Sequence, residues 1–249
     1  MDQVLVAAGG AWQLAWALAV VFVAYALRGA TGFGAGVVSI PLLLFALPLP
    51  VVIPLVTAMG MVASFGQAVH QRRAVYWPGL WRLILPTLVG VAAGLWLFAS
   101  IDSKLLLRAL ALFIIGYALS GYLPWRFAGA APRWLGPPAG ALGGFVATVF
   151  GGMAGPLFVV YLRTLALDKT RFRATVSVSL LSVSMLRAAG YGSIGLYDAR
   201  VLWILAATLP VVVVAMVAGD YWHAKLDETR FGHVVAVLLA LSGVALLFK

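Results

Sequence analysis

The sequence predicts an all-α, polytopic integral membrane protein, and three observations lead to that prediction. Of the 249 residues, 64% are hydrophobic and only 10% are charged, whereas soluble domains average about 45–50% apolar and about 25% charged residues. The mean hydropathy is +1.07. At roughly 20 residues per spanning helix, a chain of this length allows about ten spans and no sizeable domain outside the membrane. This excludes a soluble enzyme and a secreted disulfide-linked scaffold.

Ten apolar segments follow one another along the chain. Their approximate bounds are 12–28, 35–47, 51–69, 79–99, 105–123, 134–150, 154–167, 173–190, 200–219 and 231–248. The second and the seventh are short, and about 13 residues at 1.5 Å each cover about 20 Å of a hydrocarbon core about 30 Å thick. Each short segment follows a glycine-rich stretch and has a proline near its start, Pro41 or Pro156. We interpret both as short, broken helices.

The second half of the sequence repeats features of the first half in the same order. Thr57 recurs as Thr175 after 118 residues, and Pro86 recurs as Pro210 after 124 residues. Colinear matches at a slowly growing offset indicate an internal duplication. We therefore predict a single transmembrane domain over residues 1–249, with repeat one at about 12–123 and repeat two at about 134–248.

The distribution of lysine and arginine predicts the topology. If the short segments do not cross the membrane, the 17 basic residues divide about 8 to 9 between the two faces. If they do cross, one face carries twelve, namely Arg28, Arg72, Arg73, Arg82, Arg126, Arg133, Arg163, Lys169, Arg171, Arg173, Lys225 and Arg230. The other face carries five, namely Lys104, Arg108, Arg187, Arg200 and Lys249. The positive-inside rule favours the second arrangement, with both termini outside a bacterial-type inner membrane. Because five spans per repeat reverse the second copy, we predict a 5+5 inverted repeat.

The two glycine stretches, at 32–36 and 151–155, predict a binding site for an anion. Glycines before a short helix let backbone N–H groups point into a cavity, and the helix N-terminus carries partial positive charge and N–H groups without partners. Two such ends related by inverted symmetry would converge near the middle of the membrane, where transporters built this way bind substrate. The alternative is close helix packing, which small residues also permit.

These stretches also carry a resemblance to a known family. The run RGATGFGAGVVSIPLL at 28–43 resembles the first signature of the TauE/SafE family of sulfite exporters, and FGGMAGPL at 150–157 resembles the second copy. The second copy has Met153-Ala154 where glycine or an aliphatic residue is usual. The resemblance implies secondary transport, with export as the expected direction, of a small sulfur-containing or organic anion such as sulfite, a sulfonate or sulfoacetate. A passive anion channel with paired half-helices is the alternative.

Candidate substrate-binding residues come from the glycine stretches and from nearby polar side chains. They are Arg28, Thr31, Gly32, Phe33, Gly34, Gly36, Ser39, Thr57, Gly151, Gly152, Gly155 and Thr175. Arg28 could hold an oxyanion bidentately or extend to the lipid headgroups. The hydroxyl groups could donate to an oxyanion or to a neighbouring helix. The same two alternatives apply to Arg187, near the end of segment 173–190, for which extension to the headgroups is the favoured interpretation.

Other features of the sequence argue against ion coupling through carboxylates, metal or cofactor binding, enzymatic activity and nucleic-acid binding. All seven acidic residues fall at the ends of apolar runs or between them, which counts against coupling to protons or sodium through a carboxylate within the membrane. With no cysteine and three histidines lacking metal-ligand spacing, we expect no metal, no cofactor and no enzymatic activity. The net charge of +10 is assigned to basic loops rather than to nucleic-acid binding. The expected partners are a small anion and the lipid bilayer, and the pattern predicts no particular oligomeric state.

Overall fold

The structure is a computed structural model that describes residues 2–32, 34–120, 133–151, 155–222 and 242–246. Within these ranges every regular element is helical, which confirms the predicted all-α class. The helices are α1 (Asp2–Ala8), α2 (Ala11–Thr31), α3 (Ala35–Leu43), α4 (Leu49–Gln71), α5 (Trp77–Ser100), α6 (Ser103–Ser120), α7 (Gly136–Phe150), α8 (Gly155–Arg163), α9 (Lys169–Ser193) and α10 (Ala199–Trp222). Short 3-10 turns at Arg72–Ala74 and Arg133–Leu135 precede α5 and α7.

Three helices differ from the elements that hydropathy predicts. The seven-residue α1 is missed, because it is too short to give a spanning signal and is separated from α2 by Gly9 and Gly10. α3 and α8 have nine residues each, fewer than predicted, because the apolar runs continue into turns after the helices end. Nine residues extend about 14 Å, less than half of a hydrocarbon core.

The order and the lengths of the helices recur along the chain. α2 and α7 each end at a glycine, α3 and α8 each contain nine residues, and α4 and α9 contain 23 and 25. α5 and α10 each have 24 residues with one proline inside, Pro86 or Pro210. The chain between α3 and α4 covers 44–48, and that between α8 and α9 covers 164–168. This recurrence supports the predicted duplication. The last predicted segment, 231–248, lies outside the described residues apart from 242–246.

Four of the described helices are long and apolar enough to cross a membrane. The candidate spans are Ala11–Ala30, Leu49–Gly66, Trp77–Ser100 and Ala199–Tyr221. In α5 and α10 much of the apolar surface is exposed, for example at Val89, Trp96 and Val217. Side chains of this kind suit contact with lipid, and the chain is a multi-pass membrane protein.

The helices form two compact units that do not coincide with the predicted repeats. Unit one takes its described residues from Met1–Val56, Ile101–Trp125 and Tyr197–Lys249, and unit two takes them from Thr57–Ser100 and Arg126–Leu196. Within unit one α2 packs along α10, and within unit two α5 packs along α7. In each pair, the first helix of one predicted repeat (α2 or α7) packs along the fourth helix of the other (α10 or α5). The same pairing thus occurs twice, as expected if the two repeats have the same order of helices.

Glycines bring the helices of each pair into close contact. In unit one, a Cβ atom at Gly29 would overlap the carbonyl of Met216, and one at Gly219 would overlap the carbonyl of Ala26. In unit two, a Cβ atom at Gly90 would overlap the carbonyl of Ala141. Small residues at such crossings let transmembrane helices approach closely. Helix packing thus accounts for the glycines within α2, α5 and α10.

Candidate functional site

In unit one, glycines of the first glycine stretch lie at the end of α2 and at the start of α3. Gly32 ends α2 with φ 85° and ψ −11°, and its N–H donates to the carbonyl of Arg28 at 2.7 Å. Gly34 precedes α3 with φ 95° and ψ −6°. Left-handed angles of this kind are readily adopted only by glycine. Two of the predicted site glycines are therefore required by the backbone.

Neither of these glycines is explained by helix packing. Among the described residues, a Cβ atom at Gly32 or Gly34 would have no heavy atom within 4 Å, in contrast to the crowded glycines at the helix crossings. Open space therefore lies next to the start of α3. The stretch has two interpretations, an anion site or a close contact between helices. The close contact is not found at Gly32 or Gly34 among the described residues. Phe33, between them, lies outside the described residues.

The N-terminus of α3 presents backbone N–H groups that have no side-chain cap. The carbonyl of Gly34 accepts hydrogen bonds from Val37 N at 3.1 Å and Val38 N at 3.4 Å, and Gly34 supplies no capping side chain. The preceding N–H groups, of Ala35 and Gly36, belong to the first turn, whose donors lack acceptors within a helix. Together with the helix dipole, they make this end suitable for an anion.

Two polar side chains of the predicted set are buried near this helix end. Ser39, in α3, is completely buried, and its hydroxyl group has no hydrogen-bond partner among the described residues. Arg28, in the last turn of α2, is only 7% exposed. That burial disagrees with an arginine extended to the lipid headgroups. Thr31 lies in the last turn of α2, and its side chain is outside the described part.

In unit two, the second glycine stretch begins with a left-handed glycine that ends a helix, as the first stretch does in unit one. Gly151 ends α7 with φ 74° and ψ 37°, and its N–H donates to the carbonyl of Ala147. Gly152 lies outside the described residues, and Gly155 opens α8. Phe158 of α8 packs against Gly143 of α7. The described part thus matches the first stretch at the cap and at the following short helix.

The two predicted threonines of unit two have different neighbours. Thr57, in α4, is buried, and its hydroxyl group accepts a hydrogen bond from Nη2 of Arg187 at 2.5 Å. Thr175, in α9, donates to the carbonyl of Arg171 at 2.7 Å and accepts from the backbone N–H of Tyr76 at 2.9 Å. The hydroxyl of Thr175 therefore ties the chain before α5 to α9.

Arg187 does not take the favoured one of its two predicted positions, next to the lipid headgroups. It is 2% exposed and does not extend to the lipid headgroups, because α9 continues beyond it to Ser193. Its guanidinium carbon lies 5.7 Å from the ring centroid of Tyr191. Tyr191 is one helical turn later, so an arginine followed at i+4 by a tyrosine was an available signal.

Comparison with known proteins supports the resemblance found in the sequence. A family model described as sulfite exporter TauE/SafE matches residues 17–246, nearly the whole chain. The match includes both glycine stretches. Comparison with curated proteins and with solved structures gives no significant match.

Proposed function

Because the chain belongs to the TauE/SafE family of sulfite exporters, we propose that it is a secondary transporter that exports a small sulfur-containing or organic anion. Sulfite, a sulfonate and sulfoacetate are the substrates we propose to test first. Transport would proceed by alternating access around a site near the middle of the membrane, to which each repeat contributes the N-terminus of its short helix.

The observation that carries this proposal is the start of α3 in unit one. The N-terminus of α3 has no side-chain cap, and among the described residues the positions beside Gly32 and Gly34 are open space. The buried, unpartnered hydroxyl of Ser39 lies one turn further along the same helix. A carried oxyanion would supply the acceptors that these donors lack. No packing contact requires glycine at either position.

The recurring order of helices supports a matching role for the second repeat. α7, Gly151 and α8 repeat the arrangement of α2, Gly32 and α3. An odd number of spans in each repeat would invert the second copy, and inverted repeats are the usual basis of alternating access. The 5+5 arrangement is part of the proposal.

The membrane potential by itself can drive the proposed export. Moving one negative charge out of a cell whose interior is negative is favourable by about 2.3 kcal/mol per 100 mV. At about 1.4 kcal/mol per tenfold, that corresponds to roughly 50-fold accumulation outside at equilibrium. Export of a singly charged anion therefore requires no coupling ion.

Electrical recording from proteoliposomes tests the proposal. Purified protein is reconstituted in liposomes adsorbed on a solid-supported membrane, and sulfite, thiosulfate, sulfoacetate, taurine, acetate, sulfate and chloride are applied as concentration jumps. We expect a transient current that saturates with sulfite or a related anion and that is absent from empty liposomes. A steady, non-saturating current would instead indicate a channel. No current and no uptake of labelled anion would contradict the proposal.

A further inference from the structure

A buried guanidinium group lies inside unit two, on the long helix α9. Arg187 is 2% exposed. The described residues of unit two provide no carboxylate for it, since the ion pair found there joins Arg171 and Asp168. An arginine buried in a membrane protein without a carboxylate is unfavourable unless other groups compensate its charge. Arg187 therefore requires a compensating partner.

Thr57 and Tyr191 contact this guanidinium group, and Tyr191 is in turn held by α5 and α7. Thr57 of α4 accepts a hydrogen bond from Nη2 at 2.5 Å. Tyr191 of α9 presents its ring 5.7 Å from the guanidinium carbon, and its hydroxyl donates to the carbonyl of Thr148 in α7 at 2.5 Å. Phe98 of α5 packs against the same ring at 5.7 Å between centroids. These contacts fix the position of the guanidinium group before any ligand binds.

These contacts use only part of the hydrogen-bonding capacity of Arg187. A guanidinium group has five N–H donors in a planar fork. One nitrogen, Nη2, donates to Thr57, while Nε is buried and has no hydrogen-bond partner among the described residues. Neither a threonine hydroxyl nor an aromatic ring carries a negative formal charge. Both the charge and the remaining donors therefore suit an anion with more than one oxygen atom.

The cluster is also linked to the last turn of α7. Thr148, whose carbonyl accepts the hydrogen bond of Tyr191, is three residues before Gly151, where α7 ends. Tyr191 thus connects the guanidinium group to the end of α7. In unit one the corresponding helix end carries its own buried arginine, Arg28.

We propose that Arg187 binds the oxyanion group of the transported substrate, with Thr57 and Tyr191 as positioning residues. This inference rests on the proposed function and names the residue that supplies the positive charge in unit two. The ligand would be an anion with at least two oxygen atoms on one centre, such as a sulfite, sulfonate or carboxylate, because two such atoms accept from one guanidinium group together. Chloride offers no such pair of acceptors and should bind less tightly.

Calorimetric titration of the purified, full-length protein with sulfite and with sulfoacetate tests the inference, and chloride serves as the comparison anion. We expect Arg187→Gln to raise the Kd for the oxyanion by roughly 30-fold or more, since a charged partner would be lost from a buried site. Arg187→Lys keeps the charge but loses the fork. It should lose most of the preference for the oxyanion over chloride while still binding both. Arg173→Gln is the matched control, because it removes an exposed arginine from the same helix.

A second pair of variants keeps the test valid if Arg187→Gln does not fold. Thr57→Val removes the hydrogen bond that orients Arg187 and should raise the Kd about tenfold, whereas Thr57→Ser retains the hydroxyl group and should restore binding. A purely structural role would lower the midpoint of thermal unfolding in each variant without changing the oxyanion-to-chloride preference.

The outcomes separate this inference from the proposed function. If the wild-type protein transports and binds an oxyanion but the Arg187 and Thr57 variants retain its Kd within twofold of the Arg173→Gln control, the inference is overturned and the transport function stands. If the wild-type protein neither transports nor binds any oxyanion, the proposed function fails and the inference fails with it.

Discussion

Gly34 and Gly90 are both glycines in a helical membrane protein, but the structure requires them for different reasons. Gly34 has φ 95° and open space around it, whereas Gly90 packs directly against the carbonyl of Ala141. A side chain at Gly34 would therefore fill a space, and one at Gly90 would separate two helices. Substitution at these two positions should damage the protein in distinguishable ways.

We expect Gly34→Leu to abolish transport in a protein that stays folded. The positive φ costs a leucine roughly 1–2 kcal/mol, which a folded protein can tolerate, while the new side chain obstructs the space at the start of α3. Transport is measured as the substrate-induced current, and folding as the thermal unfolding midpoint in detergent. Gly66→Leu is the control, because Gly66 is exposed on α4 and also has no heavy atom within 4 Å of its Cβ position.

Gly90→Leu provides the contrasting variant, with a lower unfolding midpoint expected because overpacking costs about 1–3 kcal/mol or more. Normal current from Gly34→Leu would remove the argument for a site built from backbone groups. Equal destabilisation by the Gly34 and Gly90 variants would show that both glycines serve packing.

At the scale of a single helix, α9 shows how a polar segment is held in an apolar protein. Asp168 lies before its first turn, and Oδ1 accepts from the N–H groups of Thr170 at 3.1 Å and Arg171 at 3.0 Å. Thr175 then joins the helix to Tyr76. Because Arg187 follows on the same helix, the position of α9 also fixes the position of the guanidinium group.

Asp168→Ala should destabilise the start of α9 by about 1 kcal/mol, the usual contribution of an N-terminal cap. Asp168→Asn should retain most of the stability, because asparagine also caps helices well. Hydrogen exchange of residues 169–173 and the thermal unfolding midpoint measure the effect. The ion pair of Asp168 with Arg171 is 3.4 Å long and exposed, so it should contribute little. Equal losses of stability in Asp168→Ala and Asp168→Asn would show that the negative charge of Asp168, rather than its capping hydrogen bonds, stabilises the helix.

At the scale of the whole molecule, each compact unit combines helices of both predicted repeats. α2 pairs with α10 in unit one, and α5 pairs with α7 in unit two. This exchange of helices between the two repeats is compatible with the 5+5 topology, in which most basic loops lie on one face of the membrane. The topology itself remains a prediction, since the nine-residue helices α3 and α8 must count as crossings.

Single cysteines can test that topology, because the chain has no cysteine of its own. Arg72 and Lys104 are both exposed in the structure. The 5+5 arrangement predicts that Arg72→Cys reacts with thiol reagents only from the cytoplasmic side, whereas Lys104→Cys reacts only from outside. Labelling with a membrane-impermeant maleimide, in intact cells and after permeabilisation, measures this. Labelling of both positions from the same side would contradict the prediction.

The helical class, the two short helices and the glycine stretches before them could be predicted from the sequence alone, together with approximate bounds for most of the described helices. These features depend on local properties, namely hydropathy over a turn or a span and the backbone freedom of glycine. The bounds were least accurate at α1 and at the C-terminal ends of α3 and α8, where turns continue an apolar run.

Which glycines pack and which adjoin open space could be seen only in the folded chain, because that depends on helices distant in sequence. The environment of Arg187 also depends on the fold, since its partner Thr57 lies 130 residues away. An arginine near the end of an apolar run can extend to the headgroups or stay inside the protein. The choice depends on the residues packed around it, and here Thr57 of α4 and Tyr191, which α5 and α7 hold, keep it inside.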